Sequence, residues 1–353
     1  MRFLRQLAAN RWVRWLAPLA VLIVLGIAFR DQMPFLADGV RRLRDAHLGG
    51  VLLVLVASGA SLVAMAEVMR LLMGAGGTRV PLRETTAITL ASNSWSTTLP
   101  GGPAFSAILT YQVQRGWGAS VILCGWFFLL SSALSTMWLV LIGGAAVLFL
   151  GAQFSVWSLV VTFVAMIALA GAVYWAARHP QRLEGWARRL LPRVNRLLRR
   201  DPAAGLETAL DQIHQLETVQ LSRTRFSVAA GWSLANRLLD ALSLWACIWA
   251  VTGDLPWLEA QPDHTTIMGV LLAYTTAKIA GSAQVTPGGL GTVEVTIIAT
   301  LVASGMTAVD ATGAAIIYRL ISFAFITAVG WVVYTLHYAR RGVTARAADG
   351  PLQ

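Results

Sequence analysis

Lysine is almost missing from this chain: among its 28 basic residues only Lys278 is a lysine. Cysteine is scarce as well, with Cys124 and Cys247 the only two in 353 residues. Both fall inside apolar runs without metal-ligand spacing, which excludes a disulfide scaffold and a cysteine-built metal centre. Charge of either sign is thin, at 13% of residues against 56% hydrophobic. With a mean hydropathy of +0.63, that balance excludes an ordinary water-soluble domain. Acids are the scarcer sign, 17 against 28 bases, for a net charge of +11. In a membrane chain such an excess marks cytoplasmic loops, so no nucleic acid is expected as a partner. A convincing acid pair, a metal-ligand cluster and a nucleophile with its base are lacking too, so neither a cofactor nor an enzymatic activity is expected.

What is present is a series of apolar runs long enough to cross a hydrocarbon core about 30 Å thick, each crossing taking roughly 20 helical residues. Full spans are predicted at 16–36, 48–73, 121–142, 156–177, 226–251 and 311–337. The fold class is therefore all-α and polytopic, one membrane domain over 1–353 with halves at about 16–177 and 226–337 and a short tail at 342–353. Arg2, Arg5, Arg11 and Arg14 before the first run imitate a signal peptide, with Gly26-Ile27-Ala28 as a weak cleavage site. An uncleaved first span is expected. About six crossings place both termini on one side. The positive-inside rule makes that side cytoplasmic, with Arg79, Arg83, Arg115, the 178–225 loop, Arg340 and Arg341 there and Asp254, Glu259 and Asp263 outside. Arg41, Arg42 and Arg44 run against the scheme.

The loop at 178–225 reads as a basic amphipathic segment. Leu183, Trp186, Leu190, Val194 and Leu197 fall at helical spacing beside Arg182, Arg189, Arg193, Arg196 and Arg200, with Pro192 as a kink. It suits anionic headgroups of the cytoplasmic leaflet or packing on the bundle.

Two segments, 84–111 and 265–301, are apolar enough to enter a membrane but broken near the middle. The first break reads Thr97-Thr98-Leu99-Pro100-Gly101-Gly102-Pro103 and the second Thr286-Pro287-Gly288-Gly289-Leu290-Gly291. Both are predicted to be re-entrant hairpins related as an inverted repeat, because proline removes a helical donor and broken backbone is tolerated only beside protein or a wet cavity. Matched breaks in two halves of a transporter point to a substrate site. Hydroxyl residues crowd both approaches, and Asn93 adds an amide that needs partners at low dielectric.

The charges in these runs are functional candidates, since an intramembrane ion is costly. Lys278 is expected to face a cavity or to pair with a carboxylate, Glu294 being the obvious partner, and to help attract an anionic headgroup. Arg237 and Asp240, three apart on a helix, are placed to neutralise one another. Arg319 has no partner near it in sequence, and a guanidinium suits phosphate. Glu67 and Arg70 mark the end of the second span.

The stretch Pro287-Gly288-Gly289-Leu290-Gly291-Thr292-Val293-Glu294 resembles the signature of the lysylphosphatidylglycerol synthase transmembrane, or flippase-like, family. Asn93 with Leu99-Pro100-Gly101-Gly102, then Arg115-Gly116, and Tyr318-Arg319 resemble its other landmarks, over roughly 10–340. Pro103 departs from the polar or acidic residue that often follows the first Gly-Gly. The resemblance implies a bacterial plasma-membrane protein that moves an anionic or aminoacylated phospholipid, or a lipid-linked precursor, between leaflets. Asn93, Pro100, Gly101, Gly102, Lys278, Pro287, Gly288, Gly289, Gly291, Glu294 and Arg319 would line the substrate path. The soluble aminoacyl-transferase domain of bifunctional members is not expected in a chain ending at Gln353. A membrane-embedded transferase with Glu294 as base, or an accessory subunit for enzymes of envelope biosynthesis, is the alternative; a homo-oligomer is compatible with either.

Overall fold

The computed structural model describes residues 46–99, 101–149, 222–259, 261–282 and 286–339, with the single positions 164, 189 and 192. The predicted spans at 16–36 and 156–177, nearly all of the 178–225 loop and the tail lie outside these residues. Every regular element described is helical.

Among the described residues four helices are long and apolar enough to cross a membrane. They are α1 (Leu48–Ala75), α4 (Val121–Phe149), α5 (Arg223–Thr252) and the rod α8 (Ala308–Tyr338). Each contains a predicted span and extends it, α1 by two residues, α4 by about two turns, and α5 and α8 by about a turn at the N-terminal end. Between them lie shorter helices: α2 (Leu82–Thr98), α3 (Gly102–Gly116), α6 (Ile267–Ser282) and α7 (Thr292–Ala303). At 1.5 Å per residue none of the four matches a hydrocarbon core of about 30 Å.

Small residues let the long helices approach. A Cβ added at Gly50 of α1 would lie 2.8 Å from the Ala250 backbone of α5, and His47 N–H donates to the Ala250 carbonyl at 2.8 Å. Farther along the same interface Asn236 Nδ2 donates to the Ser61 carbonyl at 2.8 Å. The pairings 50/250 and 61/236 run in opposite senses, so α1 and α5 are antiparallel. On α8, Gly330 sits against the Leu90 carbonyl and the Ser94 hydroxyl of α2. His337 to Glu84 at 2.9 Å and Ser94 Oγ to the Thr327 carbonyl at 2.9 Å make that pair antiparallel too. A wide-coiled π segment, Leu320–Phe325, interrupts α8 directly after Arg319.

Among the described residues two apolar cores occupy opposite ends of α1. One joins its Val51 and Val54 to Ile248, Val270, Leu301 and Met306; the other joins its Leu72 and Met73 to Ile88, Val113, Leu123 and Tyr338. The base of α2–α3 belongs to the second core and the base of α6–α7 to the first. The two broken hairpins therefore enter from opposite ends of the bundle.

Candidate functional site

Each break is built by glycine in the left-handed region. Gly101 has φ 66° and ψ 25°, turning the chain between α2 and α3. In the second hairpin Pro287–Gly289 form a single 3-10 turn in which Gly288 has φ 61°, and Gly289 N–H donates to the Thr286 carbonyl at 2.9 Å. A side chain is disfavoured at such φ by about 1–2 kcal/mol, which is why glycine stands there. The arms of the second hairpin run antiparallel, with Thr265 Oγ1 2.7 Å from Ser304 Oγ at the base and Thr276 Oγ1 3.2 Å from Thr300 Oγ1 higher up.

The tips meet. A Cβ at Gly288 would lie 2.9 Å from the Thr97 carbonyl of the first hairpin and would overlap the Phe323 ring of α8. Thr97 Oγ1 is itself 3.0 Å from Thr327 Oγ1 of α8. Beside this junction is a cavity of about 580 Å³, large enough for a ligand headgroup. The first hairpin contributes Ser92, Asn93, Ser96 and Thr97 to its wall, the second Lys278, Ser282 and Gly288, and α8 contributes Tyr318, Arg319 and Ser322.

The charges pair otherwise than expected from sequence. Arg319 Nε donates to Glu294 Oε1 at 2.6 Å, with both side chains about nine-tenths buried. Arg319 Nη2 also donates to the Gly288 carbonyl at 3.0 Å, and the guanidinium stacks 4.3 Å over the Phe323 ring. Arg319 thus clamps the break to the first turn of α7, where a carboxylate also gains from the helix N-terminus. Glu294 Oε2 is buried without a hydrogen-bond partner among the described residues. The Lys278–Glu294 pair suggested by sequence is not formed, and Arg319, which has no partner near it in sequence, is the partner of Glu294.

Lys278 binds Asp240 of α5 instead, Nζ to Oδ2 at 2.6 Å. Asp240 also accepts from Tyr274 at 3.3 Å and from Tyr318 at 3.1 Å, so the carboxylate is held from three sides. The side chains are 33% and 18% exposed, markedly wetter than the Arg319–Glu294 pair at 8% and 11%. Arg237 does not neutralise Asp240 by direct pairing; it donates to the Ser135 hydroxyl at 2.5 Å and to the Ser135 carbonyl at 3.3 Å. Glu67 and Arg70 form a two-pronged ion pair of 2.7 and 2.5 Å within α1.

Of the candidate residues, Asn93, Lys278, Gly288 and Arg319 reach the cavity wall. Gly101, Gly102, Gly289, Gly291 and Glu294 are not among the residues that line it: the glycines shape the turns and Glu294 holds Arg319. Pro287 begins the 3-10 turn. Pro100 lies outside the described residues. Sequence reasoning overlooked Asp240 as the partner of Lys278, the tyrosines beside it, and a row of serines on α4 (Ser131, Ser132, Ser135) facing the same space. A carboxylate deep in an apolar run was the available signal for Asp240. Among the described residues no group of His, Cys, Asp and Glu is placed to hold a metal ion.

Long apolar helices around a polar, charged cavity define a multi-pass α-helical membrane protein. Over residues 14–330 the sequence matches the family described as Lysylphosphatidylglycerol synthase TM region, and the chain belongs to that family. No curated protein matches it. Membership connects the fold with membrane-lipid chemistry.

Proposed function

We propose that this chain is a flippase-like transporter that carries the headgroup of a phospholipid or lipid-linked anion between leaflets while the acyl tails stay in the hydrocarbon. The observation that carries this reading is the meeting of two broken hairpins, from opposite ends of an apolar bundle, beside a cavity lined with hydroxyls, an amide and charges. Polar walls inside apolar helices are costly unless something polar uses them. The opposed entry of the hairpins supports an inverted repeat and alternating access of one site to both sides. The bacterial plasma membrane, cytoplasmic termini and a basic loop resting on anionic headgroups belong to the same reading.

A membrane-embedded transferase would need Glu294 as a free base. Its engagement by Arg319 at 2.6 Å weighs against that role. The test is reconstitution into liposomes with a panel of labelled lipids, following leaflet exchange for the wild type, Lys278→Ala and Glu294→Gln. Exchange above the protein-free background, lost in both variants, is the expected result. Background rates for every lipid would reject transport, and product formed from a lipid-linked sugar would move the protein to the transferases.

A further inference from the structure

The cavity has a second polar wall, built mainly outside the hairpins on α4 and α5. Arg237 on α5 and Ser131, Ser132 and Ser135 on α4 line it together with Asp240 and Lys278. The two cations Arg237 and Lys278 share the single carboxylate of Asp240, since among the described residues no other acid lies in the wall and Glu294 behind it is taken by Arg319. Arg237 itself has no carboxylate within ion-pair distance among those residues. Ser135 takes two of its five N–H donors, which fixes the direction of the guanidinium and leaves donors over. Among the described residues the wall thus carries one positive charge in excess, in a setting where an unbalanced charge is costly.

We infer that Arg237 and the α4 serines form an anion subsite for a singly charged phosphate, the chemistry of a phosphodiester headgroup or of free dihydrogen phosphate. One negative charge balances the wall. A guanidinium presents a planar pair of donors to phosphate oxygens, and hydroxyls complete the shell. A headgroup that adds an ammonium fits worse, because Asp240, the one wall carboxylate among the described residues, already holds Lys278 and accepts from two tyrosines. This subsite deepens the transport reading and, as a site for a lipid, rests on it: the phosphate would sit on the α4–α5 side while the hairpins face the rest of the headgroup.

The test uses the full chain in nanodiscs of phosphatidylcholine, titrated with short-chain phosphatidylglycerol, with its lysyl ester on the same tails, and with inorganic phosphate. Phosphatidylglycerol is expected to bind at least about tenfold more tightly than the ester, and Arg237→Gln to weaken it by about tenfold or more, as for loss of a charge-assisted bond. Ser132→Asp, at an exposed lining position, adds a compensating charge while keeping Arg237 in place and is expected to weaken binding comparably. Thermal transitions of each variant separate lost binding from lost folding. Inorganic phosphate that binds the wild type as tightly as phosphatidylglycerol, and fails on Arg237→Gln, supports the subsite with phosphate as its ligand. Phosphatidylglycerol binding unchanged in Ser132→Asp and in folded Arg237→Gln overturns the inference, as does equal binding of the lysyl ester. Leaflet exchange in the same preparations keeps the two readings apart. Binding through Arg237 without exchange rejects transport and retains the subsite; exchange untouched by Arg237→Gln rejects the subsite and retains transport.

Discussion

The two broken hairpins use the same backbone device and put different chemistry on it. The first presents dipoles to the cavity, through Ser92, Asn93, Ser96 and Thr97, and no charge. The second presents Lys278 and is braced from behind by Arg319 and Glu294. Hydroxyls can return to their own helix, as Thr97 does to the Asn93 carbonyl at 3.0 Å, so the first wall can change partners cheaply. A buried ion pair cannot. The second hairpin is therefore the rigid half of the site and the first the adaptable half.

Breaking the brace should have the largest effect. Glu294→Gln leaves the Arg319 guanidinium buried without its counter-charge, at an expected cost of about 3–5 kcal/mol. The double variant Glu294→Leu with Arg319→Leu should regain most of that stability, because it removes both desolvated charges, while leaflet exchange stays lost. Thermal or denaturant unfolding in one detergent, with the double-mutant cycle, measures this. A double variant as unstable as the single one would contradict the assignment of the cost to an unpaired charge.

The glycines sharpen the contrast. Gly101→Ala meets open space, with nothing within 4 Å of the new Cβ, so only backbone strain of about 1–2 kcal/mol is expected. Gly288→Ala carries the same strain and also drives a methyl into the Phe323 ring and to 2.9 Å from the Thr97 carbonyl. A further 1–3 kcal/mol or so is expected from that overpacking. Equal destabilisation of the two variants would show that the tips do not touch.

At the cavity wall the effects on folding shrink and those on transport should dominate. Lys278→Met leaves Asp240 with both tyrosine hydroxyls in a partly wet site, so a loss of about 1–2 kcal/mol is expected. Asn93→Ala, with no hydrogen bond to lose among the described residues, should cost below about 1 kcal/mol. Leaflet exchange should fall in both, and further in Lys278→Met. Exchange lowered more by Asn93→Ala would reverse the proposed division of labour between the hairpins.

How much of this was legible in sequence depended on whether the signal was local. Run length gave α1, α4, α5 and α8, and proline with glycine located both breaks, because insertion and helix-breaking are decided within one segment. Charge pairing was misjudged because it is decided by helix faces. Thr276 is a residue of α6 that faces α7, and Lys278, two positions on, lies roughly 200° round the helix, towards Asp240 on α5. Glu294, nearer in sequence, thereby falls to Arg319 of α8. The α4 serines were passed over because serine in an apolar span reads as packing; only the position of α5 opposite them turns them into a polar wall.

The smallest effect is expected at the base of the second hairpin, where charge lies outside the spans. His264 Nδ1 is 2.8 Å from the Pro262 carbonyl and Nε2 is 3.2 Å from Asp254 Oδ2. The Pro262 carbonyl first, and the Asp254 carboxylate with it, holds the imidazole pKa above its usual value. The proton is bound more tightly in the folded loop than in the unfolded chain. That stabilisation is complete below the unfolded pKa of about 6.5 and is lost as pH rises through the higher folded value. Asp254 is well exposed and His264 partly so, and screening by water should hold the contribution below about 1 kcal/mol. The expected outcome is a small fall in the wild-type unfolding temperature between about pH 6 and about pH 8.5, absent in His264→Gln. Raising the salt concentration should flatten the wild-type slope as well, whereas it should leave the cost of Glu294→Gln nearly unchanged, because a buried pair is screened far less than an exposed one. Parallel slopes for wild type and His264→Gln would remove the loop contact from the account of how the second hairpin is anchored.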